Sequence, residues 1–380
     1  MTHNPHAFAN ALGAKLATRS RHVCMLLGAG VGKSCGLPDV ASLQAAILTA
    51  LPDEQKPLLK AELDKGNIEQ TLSRLRRIAA LVSGEETVGG LTADAARDLD
   101  KAICAQIVAH LDVKDADLGP ALNLASWAGR ADYHLPLEVF TVNYDLLVET
   151  ALERLGVAYF DGFVGALHAR FRTDLVEADP SDVSEWLPSF LVRLWKLHGS
   201  VHWAWTSGGS DVVRRGGPVD AGEVAAIYPS DTKYDESRRV PFVVVQDRLR
   251  RALYTQESLV LVTGYSWRDA HLNELLIEAA RRRPRSEIVT FTRAKIPAAL
   301  EEVALSVPNL QAVTASEAIL GGVRGAWSSP DDPVPEIWSD DTLTLADFAG
   351  LSSFLAKNAT PNPDVDARLR DLLSALEADA

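Results

Sequence analysis

The chain alternates short apolar runs, rich in β-branched residues, with longer segments of helical periodicity. Most of these runs lack polar alternation, as expected for strands that are buried on both faces. The candidate strands are residues 23–27, 138–142, 192–197, 241–245, 258–263 and 287–291. This order predicts an α/β fold: a Rossmann-like, mainly parallel sheet with helices on both faces.

A long helical segment separates the first two candidate strands. No strand pattern occurs there, whereas apolar residues such as Leu72, Leu75, Leu99 and Ile103 recur at helical spacing. We therefore predict an inserted helical cap subdomain at 45–130, placed where it could hang over a ligand crevice. Residues 1–44 and 131–325 would then form the Rossmann-type domain.

A polar, proline-rich stretch at 328–333 marks the end of that domain. Beyond it the sequence predicts two helices, at 343–357 and 364–378, separated by a proline-containing turn. Residues 326–380 are therefore interpreted as a linker and a C-terminal helical extension. The pattern does not distinguish helices that pad the fold from helices that offer a surface to a partner or to another copy of the chain.

Charge and cysteine content exclude several classes of protein. A formal net charge of −13 argues against direct nucleic acid binding, which needs a basic face. The apolar runs are far shorter than the roughly 20 residues of a membrane span. Three cysteines without a C-x-x-C pair form neither a disulfide framework nor a four-cysteine zinc site. A helix predicted at 5–18 and a strand from about His22 leave little room for a cleavable leader, so we expect a soluble, cytoplasmic protein.

A glycine-rich turn follows the first candidate strand and carries G-A-G at 28–30 and G-L-P at 36–38. Such a turn lets backbone N–H groups approach a phosphate. A Walker A loop would need glycine where Leu27 stands, and Pro38 would fall inside its helix. The dehydrogenase fingerprint G-x-G-x-x-G fails at its third glycine, where Lys33 stands. The loop by itself therefore indicates a nucleotide and leaves its type open.

Three further motifs follow candidate strands. Asn143-Tyr144-Asp145 opens a helix, so Asn143 or Asp145 could simply cap it. His198 precedes a glycine turn, where a histidine is more often structural than catalytic. The segment from Gly264 to Asp269 offers backbone amides and the Ser266 hydroxyl to a phosphate or ribose. Because ligands of open α/β sheets bind at the carboxyl ends of strands, we expect these residues to converge.

The series G-A-G…G-L-P, T-x-N-Y-D, K-L-H-G-S and G-Y-S-x-x-D resembles the bacterial sirtuin-like domain of antiphage defence NADases, over about residues 22–295. The resemblance implies hydrolysis of the nicotinamide–ribose bond of NAD, with Asn143 and His198 as catalytic residues and with no metal. It also implies NAD-binding residues in the other motif positions. These are Gly28, Ala29, Gly30, Gly36, Leu37, Pro38, Asp145, Gly264, Tyr265, Ser266 and Asp269.

Sirtuin deacylases carry a zinc ribbon of two C-x-x-C pairs, and this chain has no cysteine between Gly199 and Leu259. Deacylation is therefore the less favoured alternative. Gly32 and Asp39-Val40 depart from the defence pattern beside the expected NAD diphosphate, which keeps a non-hydrolysing NAD or ADP-ribose regulator open. The family also implies gated activity, through a homo-oligomer or through a partner such as a HerA-type ATPase or an Argonaute-type protein.

Overall fold

The computed structural model describes residues 1–178, 192–206, 211–219, 225–227 and 240–379, the backbone alone at 225–227 and 379. The strands are β1 Thr2–His3, β2 Val23–Leu27, β3 Glu138–Thr141, β4 Tyr159–Phe160, β5 Phe163–Val164, β6 His168–Phe171, β7 Val192–Lys196, β8 Gly199–Trp205, β9 Val212–Arg215, β10 Ala225–Ile227, β11 Leu259–Thr263, β12 Glu287–Phe291, β13 Leu310–Val313, β14 Glu317–Leu320, β15 Val323–Trp327, β16 Trp338–Ser339 and β17 Thr342–Leu343. The helices are α1 Pro5–Leu16, α2 Ala29–Ser34, α3 Val40–Ala50, α4 Lys56–Leu63, α5 Ile68–Leu81, α6 Ala93–His110, α7 Gly119–Ala128, α8 Leu147–Leu155, α9 Thr173–Glu177, α10 Phe242–Tyr254, α11 Ala270–Arg282, α12 Ala298–Ser306, α13 Phe348–Lys357 and α14 Pro363–Asp379.

The main sheet has the strand order β1-β15-β14-β13-β12-β11-β2-β3-β7-β4. All neighbours from β13 to β4 are parallel, β14 and β15 add two antiparallel pairings beside β13, and β1 pairs in parallel with β15 at the edge. The first long strand, β2, lies between β3 and β11, so the chain winds away from it in both directions. This reversal opens a crevice beyond the carboxyl end of β2, where ligands of such sheets bind.

Alternate residues of β2 enter two different cores. Val23, Met25 and Leu27 pack with α1, α7, α8 and α13, whereas Cys24 and Leu26 pack on the other face with α10, α11 and α12. Every residue of this strand is buried, which explains why its sequence shows no polar alternation. The predicted α/β fold, a mainly parallel sheet with helices on both faces, is confirmed.

The inserted helices have a core of their own. Helices α3 to α6 pack together and against a second, antiparallel sheet with the order β10-β8-β9-β6-β5. Val201 and Ala204 of β8 and Val213 of β9 belong to this core. Helix α7, by contrast, contributes to the core of the main sheet, and α3 runs across the predicted boundary at residue 44. The domain limits drawn from the sequence stay predictions.

The predicted strand at 241–245 is wrong, because these residues open helix α10. The apolar run Phe242–Val245 suggested a buried strand, but the burial follows helical spacing. Val245, Leu249 and Ala252 are buried, whereas Val243 is exposed. The intervals of four and three residues place the buried side chains on one helical face, and this packing outweighs the β propensity of the valines.

A buried ionic cluster lies at the opposite end of the main sheet from the crevice. Glu138 faces His22 at 3.6 Å and accepts hydrogen bonds from Trp195 and Arg248. Burial alone would lower the pKa of His22, but Cys24 and Glu138 outweigh it and raise that pKa to about 10. Burial likewise opposes ionisation of Glu138, yet His22 and Arg248 lower its pKa to about 2. The cluster is therefore ionised across the neutral range.

We expect His22→Gln to lower the free energy of unfolding by about 3 kcal/mol near neutral pH, because it removes one charge of a buried pair. The folded-state pKa of His22 lies above its unfolded value of 6.5, so its contribution is complete below that pH and disappears as the pH rises through about 10. Urea unfolding of both proteins across this range measures the difference. If the difference in free energy of unfolding between the two proteins does not decrease with rising pH, the raised pKa of His22 is wrong.

Candidate active site

Four loops meet at the carboxyl ends of β2, β3, β7 and β11, where they line a cavity of about 600 Å³. Every residue predicted for the site lines it except Gly28 and Gly36. The predicted residues in its wall are Ala29, Gly30, Leu37, Pro38, Asn143, Asp145, His198, Gly264, Tyr265, Ser266 and Asp269. The volume lies within the usual range for small-molecule and cofactor sites.

The glycines of the first and last motifs bring two loops into direct backbone contact. A Cβ on Gly28 would lie 2.4 Å from the carbonyl oxygen of Gly264, and one on Gly30 would lie 2.7 Å from its Cα. Gly264 itself has φ +66° and faces the backbone of Val31. The amides of Gly28 and Gly30 donate to the carbonyls of Thr263 and Gly264. Gly28, Gly30 and Gly264 therefore allow the two loops to pack backbone against backbone, and we call this contact the glycine floor of the cavity.

Asn143 is tied to the same floor. Its Nδ2 donates to the carbonyl of Gly28 at 3.0 Å, and its backbone N–H donates to Oγ1 of Thr141. The amide oxygen of Asn143 accepts no hydrogen bond from the part of the chain that the structure describes. Because the hydrogen bond from Nδ2 holds the side chain of Asn143, its amide oxygen is the acceptor that faces the cavity.

His198 is buried at the end of β7, with its Nε2 3.5 Å from Oδ2 of Asp269. Asp269 also caps α11, because its Oδ1 accepts from the N–H groups of His271 and Leu272. Burial alone would raise the pKa of Asp269, but His198 and the helix amides outweigh it and lower that pKa. The ionised carboxylate therefore orients the imidazole through Nε2, and among the described residues no hydrogen bond involves Nδ1.

We expect Asp269→Asn to reduce the proposed activity by about 10- to 100-fold, less than the loss of His198 itself. Asparagine caps a helix about as well as aspartate, so the melting temperature should hardly change. Turnover and thermal unfolding measured on the same preparation test both parts. Full activity in this variant would show that His198 works without its carboxylate partner.

Asp145 supports the loop after β3 as well as lining the cavity. Its carboxylate accepts from the N–H of Leu147 at 3.1 Å, and Lys196 donates to its backbone carbonyl. Lys196 is buried and pairs with Glu149 at 2.9 Å. Burial raises the pKa of Asp145, although Lys196 opposes this. The lysine that precedes His198 by two residues therefore joins β7 to α8, and it does not line the cavity.

Two neighbouring residues of the last motif, Tyr265 and Ser266, differ in their surroundings. Tyr265 is buried and its hydroxyl donates to Asn273 and to the carbonyl of Asp269. Ser266, in contrast, is exposed at the cavity wall, where its hydroxyl can meet a ligand. Tyr265 thus stiffens the turn that presents Ser266.

The first loop differs from the Walker A alternative that the sequence analysis considered. Helix α2 starts at Ala29, immediately after β2, and ends before the left-handed Gly36, so Lys33 lies inside a short helix. Lys33 pairs with Asp39, which caps α3. The lysine therefore spans the loop between the two glycine motifs, a geometry that the Walker A alternative does not predict.

A cap over the crevice was expected from the sequence, but the cap residues that line the cavity were not named. Asn67, Glu69 and Gln70, at the start of α5, line it together with Leu111 after α6. The main domain adds Tyr144 and Arg268, which the motifs contain but which were not singled out. The capping pattern of Asn67 and Gln70 marked the start of a helix. Nothing local indicated that this helix end faces the crevice.

No group of three or more metal-ligating side chains occurs among the described residues. Within the same residues, none of the helices has the length and apolar character that crossing a membrane requires. A family model described as a SIR2-like domain matches residues 137–309. No curated protein matches the chain.

The matched segment runs from β3 to the loop before β13, so it contains Asn143, His198 and the turn at 264–269. It does not include the first loop at 28–38. A SIR2-like domain indicates NAD binding and, in general, an NAD-dependent enzyme.

Proposed function

We propose that this protein hydrolyses NAD to nicotinamide and ADP-ribose. The observation that carries the proposal is the meeting of Asn143 and His198, from separate strands of the matched domain, in one cavity of about 600 Å³. One side chain presents a hydrogen-bond acceptor, and the other presents a base oriented by Asp269.

The chemistry requires little more than this pair. Water attacks C1′ of the nicotinamide ribose, the C–N bond breaks, and its electron pair returns to the ring nitrogen. Nicotinamide then leaves as a neutral molecule that needs no proton. The transition state resembles an oxocarbenium ion, so the site must hold the ribose and exclude bulk water.

The residues divide these tasks. The free amide oxygen of Asn143 is placed to accept from a ribose hydroxyl or from the attacking water. Nδ1 of His198 takes the proton that the water loses, and the Asp269 carboxylate stabilises the imidazolium that forms. The exposed Ser266 hydroxyl and the backbone of the first loop would bind the phosphate or ribose groups.

We further propose that the activity depletes NAD during phage infection and is gated, since an unregulated NADase would poison its own cell. A homo-oligomer, a HerA-type ATPase or an Argonaute-type protein could provide the gate. These partners rest on resemblance to defence NADases, and the exposed face of α14 is one surface that they could use.

The proposal is tested by measuring nicotinamide and ADP-ribose released from NAD by the purified protein, alone and with products of neighbouring genes. We expect equal amounts of both products and no requirement for a peptide. Nicotinamide released only with an acetyl-lysine peptide would indicate a deacylase. NAD that binds but is never cleaved would indicate a regulator, and ATP hydrolysis that depends on Lys33 would contradict the interpretation of the first loop.

A further inference from the structure

Tyr144 connects the helical cap to both catalytic loops. Its hydroxyl donates to Oε1 of Glu69 in α5 at 3.2 Å. Its backbone carbonyl accepts from the N–H of Val201 at 3.0 Å and from Oγ of Ser200 at 3.2 Å, just after His198. Asn143 directly precedes it in the chain. One residue therefore contacts the cap, the histidine turn and the asparagine loop.

Glu69, the cap residue of this hydrogen bond, lies at a well-fixed helix end. The capping box of Asn67 and Gln70 fixes the start of α5, and Ile68 and Leu72 are buried in the cap core. Tyr144 packs against the same core. Burial and the nearby Glu69 carboxylate raise the pKa of Tyr144 well above its usual value, so the hydroxyl keeps its proton and acts as the donor.

We propose that the hydrogen bond between Tyr144 and Glu69 positions Asn143 and the histidine turn, so that the cap sets the catalytic geometry in addition to covering the cavity. Both residues are positioning residues. Their effect on turnover rests on the proposed function, whereas their effect on the conformation of the loop does not.

An electrostatic role for Glu69, in place of a positioning role, predicts the opposite result for Glu69→Gln. Glu69 lines the cavity in addition to accepting from Tyr144, so its carboxylate could instead stabilise the cationic ribose directly. Glutamine keeps the acceptor oxygen for Tyr144 but removes the charge. A positioning role therefore survives Glu69→Gln, whereas an electrostatic role does not.

The kinetic test compares Tyr144→Phe, Glu69→Ala and Glu69→Gln with the unmodified chain. We expect the first two to lower kcat by about 5- to 10-fold with little change in KM, the range set by one hydrogen bond. Glu69→Gln should keep most of kcat, and the double variant Tyr144→Phe/Glu69→Ala should lose no more than either single one. Tyr159→Phe is the matched control, because it removes a phenol that bonds to Glu153 outside the cavity.

The second readout needs no turnover. Amide hydrogen exchange of residues 140–147 in the ligand-free chain should accelerate in Tyr144→Phe and in Glu69→Ala, and stay near the unmodified rate in Glu69→Gln and Tyr159→Phe. This result would support the positioning role even if NAD were not hydrolysed. Unchanged exchange in all variants would overturn the positioning role. A second contradicting result would be a fully active Tyr144→Phe together with a Glu69→Gln that loses as much kcat as Glu69→Ala.

Discussion

Replacing His198 with alanine should reduce nicotinamide release from NAD by about 10²–10⁴-fold, the usual contribution of a positioned general base. Asn143→Ala should have an effect of similar size, because it removes the acceptor that faces the cavity and frees the carbonyl of Gly28. Both variants should still bind NAD, since the glycine floor and the exposed Ser266 remain. Initial rates and calorimetric binding measured in parallel separate the two effects.

His271→Ala is the matched control for the histidine. His271 lies two residues after Asp269 in the chain, but its side chain is exposed and it does not line the cavity. Its loss should leave the rate unchanged. If His198→Ala retained a rate within about threefold of the unmodified chain, the proton acceptor would have to lie elsewhere.

Gly28→Ala should lower the free energy of unfolding by about 3 kcal/mol, the upper end of the cost of overpacking. The added methyl group would lie 2.4 Å from the carbonyl oxygen of Gly264 and 2.5 Å from Cα of Tyr265. Neither atom can rotate away, because both belong to the backbone. Relief requires the two loops to separate, and a shift of about 1 Å at the proposed catalytic residues should cost around 100-fold in rate.

Gly32→Ala provides the control within the same loop. A Cβ there would make ordinary contacts, the nearest at 3.5 Å to Oδ2 of Asp145, and the residue lies in a helix. Alanine should therefore leave stability unchanged or raise it by up to about 1 kcal/mol. Urea unfolding of both variants gives the comparison. If both glycines tolerate alanine equally, the contact between the two loops does not depend on the absence of a side chain at position 28.

Short-range patterns were enough to predict the central parallel strands β2, β3, β7, β11 and β12 and the loops that follow β2, β3, β7 and β11, but they did not predict β4, β13 or the second sheet. Runs such as β2 and β11 are apolar throughout because both faces of the sheet are covered. Parallel strands also place their carboxyl ends at one edge, so motifs far apart in the chain were expected to meet there. The run at 241–245 failed because valines next to one another fit a strand as well as a helix, and only burial distinguishes the two.

The roles within the motifs depended on contacts that no local pattern records. From the sequence alone, Gly28 and Gly30 suggest a phosphate-binding turn. In the structure, however, the atoms that lie closest to them are backbone atoms of Gly264 and Tyr265. Lys196, which precedes His198 by two residues in the sequence, pairs with Glu149 of α8. Each partner lies more than 40 residues away, beyond the reach of periodicity and spacing.

The sequence by itself determined five central strands of the main sheet, their alternation with helices and the residues that follow four of them, because these depend on local propensity and on burial of apolar runs. Only the tertiary structure decided that α5 presents Glu69 to the cavity and to Tyr144, and that Asp269 faces His198. Those pairs are set by how the cap and α11 pack against the sheet. Packing of that kind arises from the summed contacts of several elements, so no single segment encodes it.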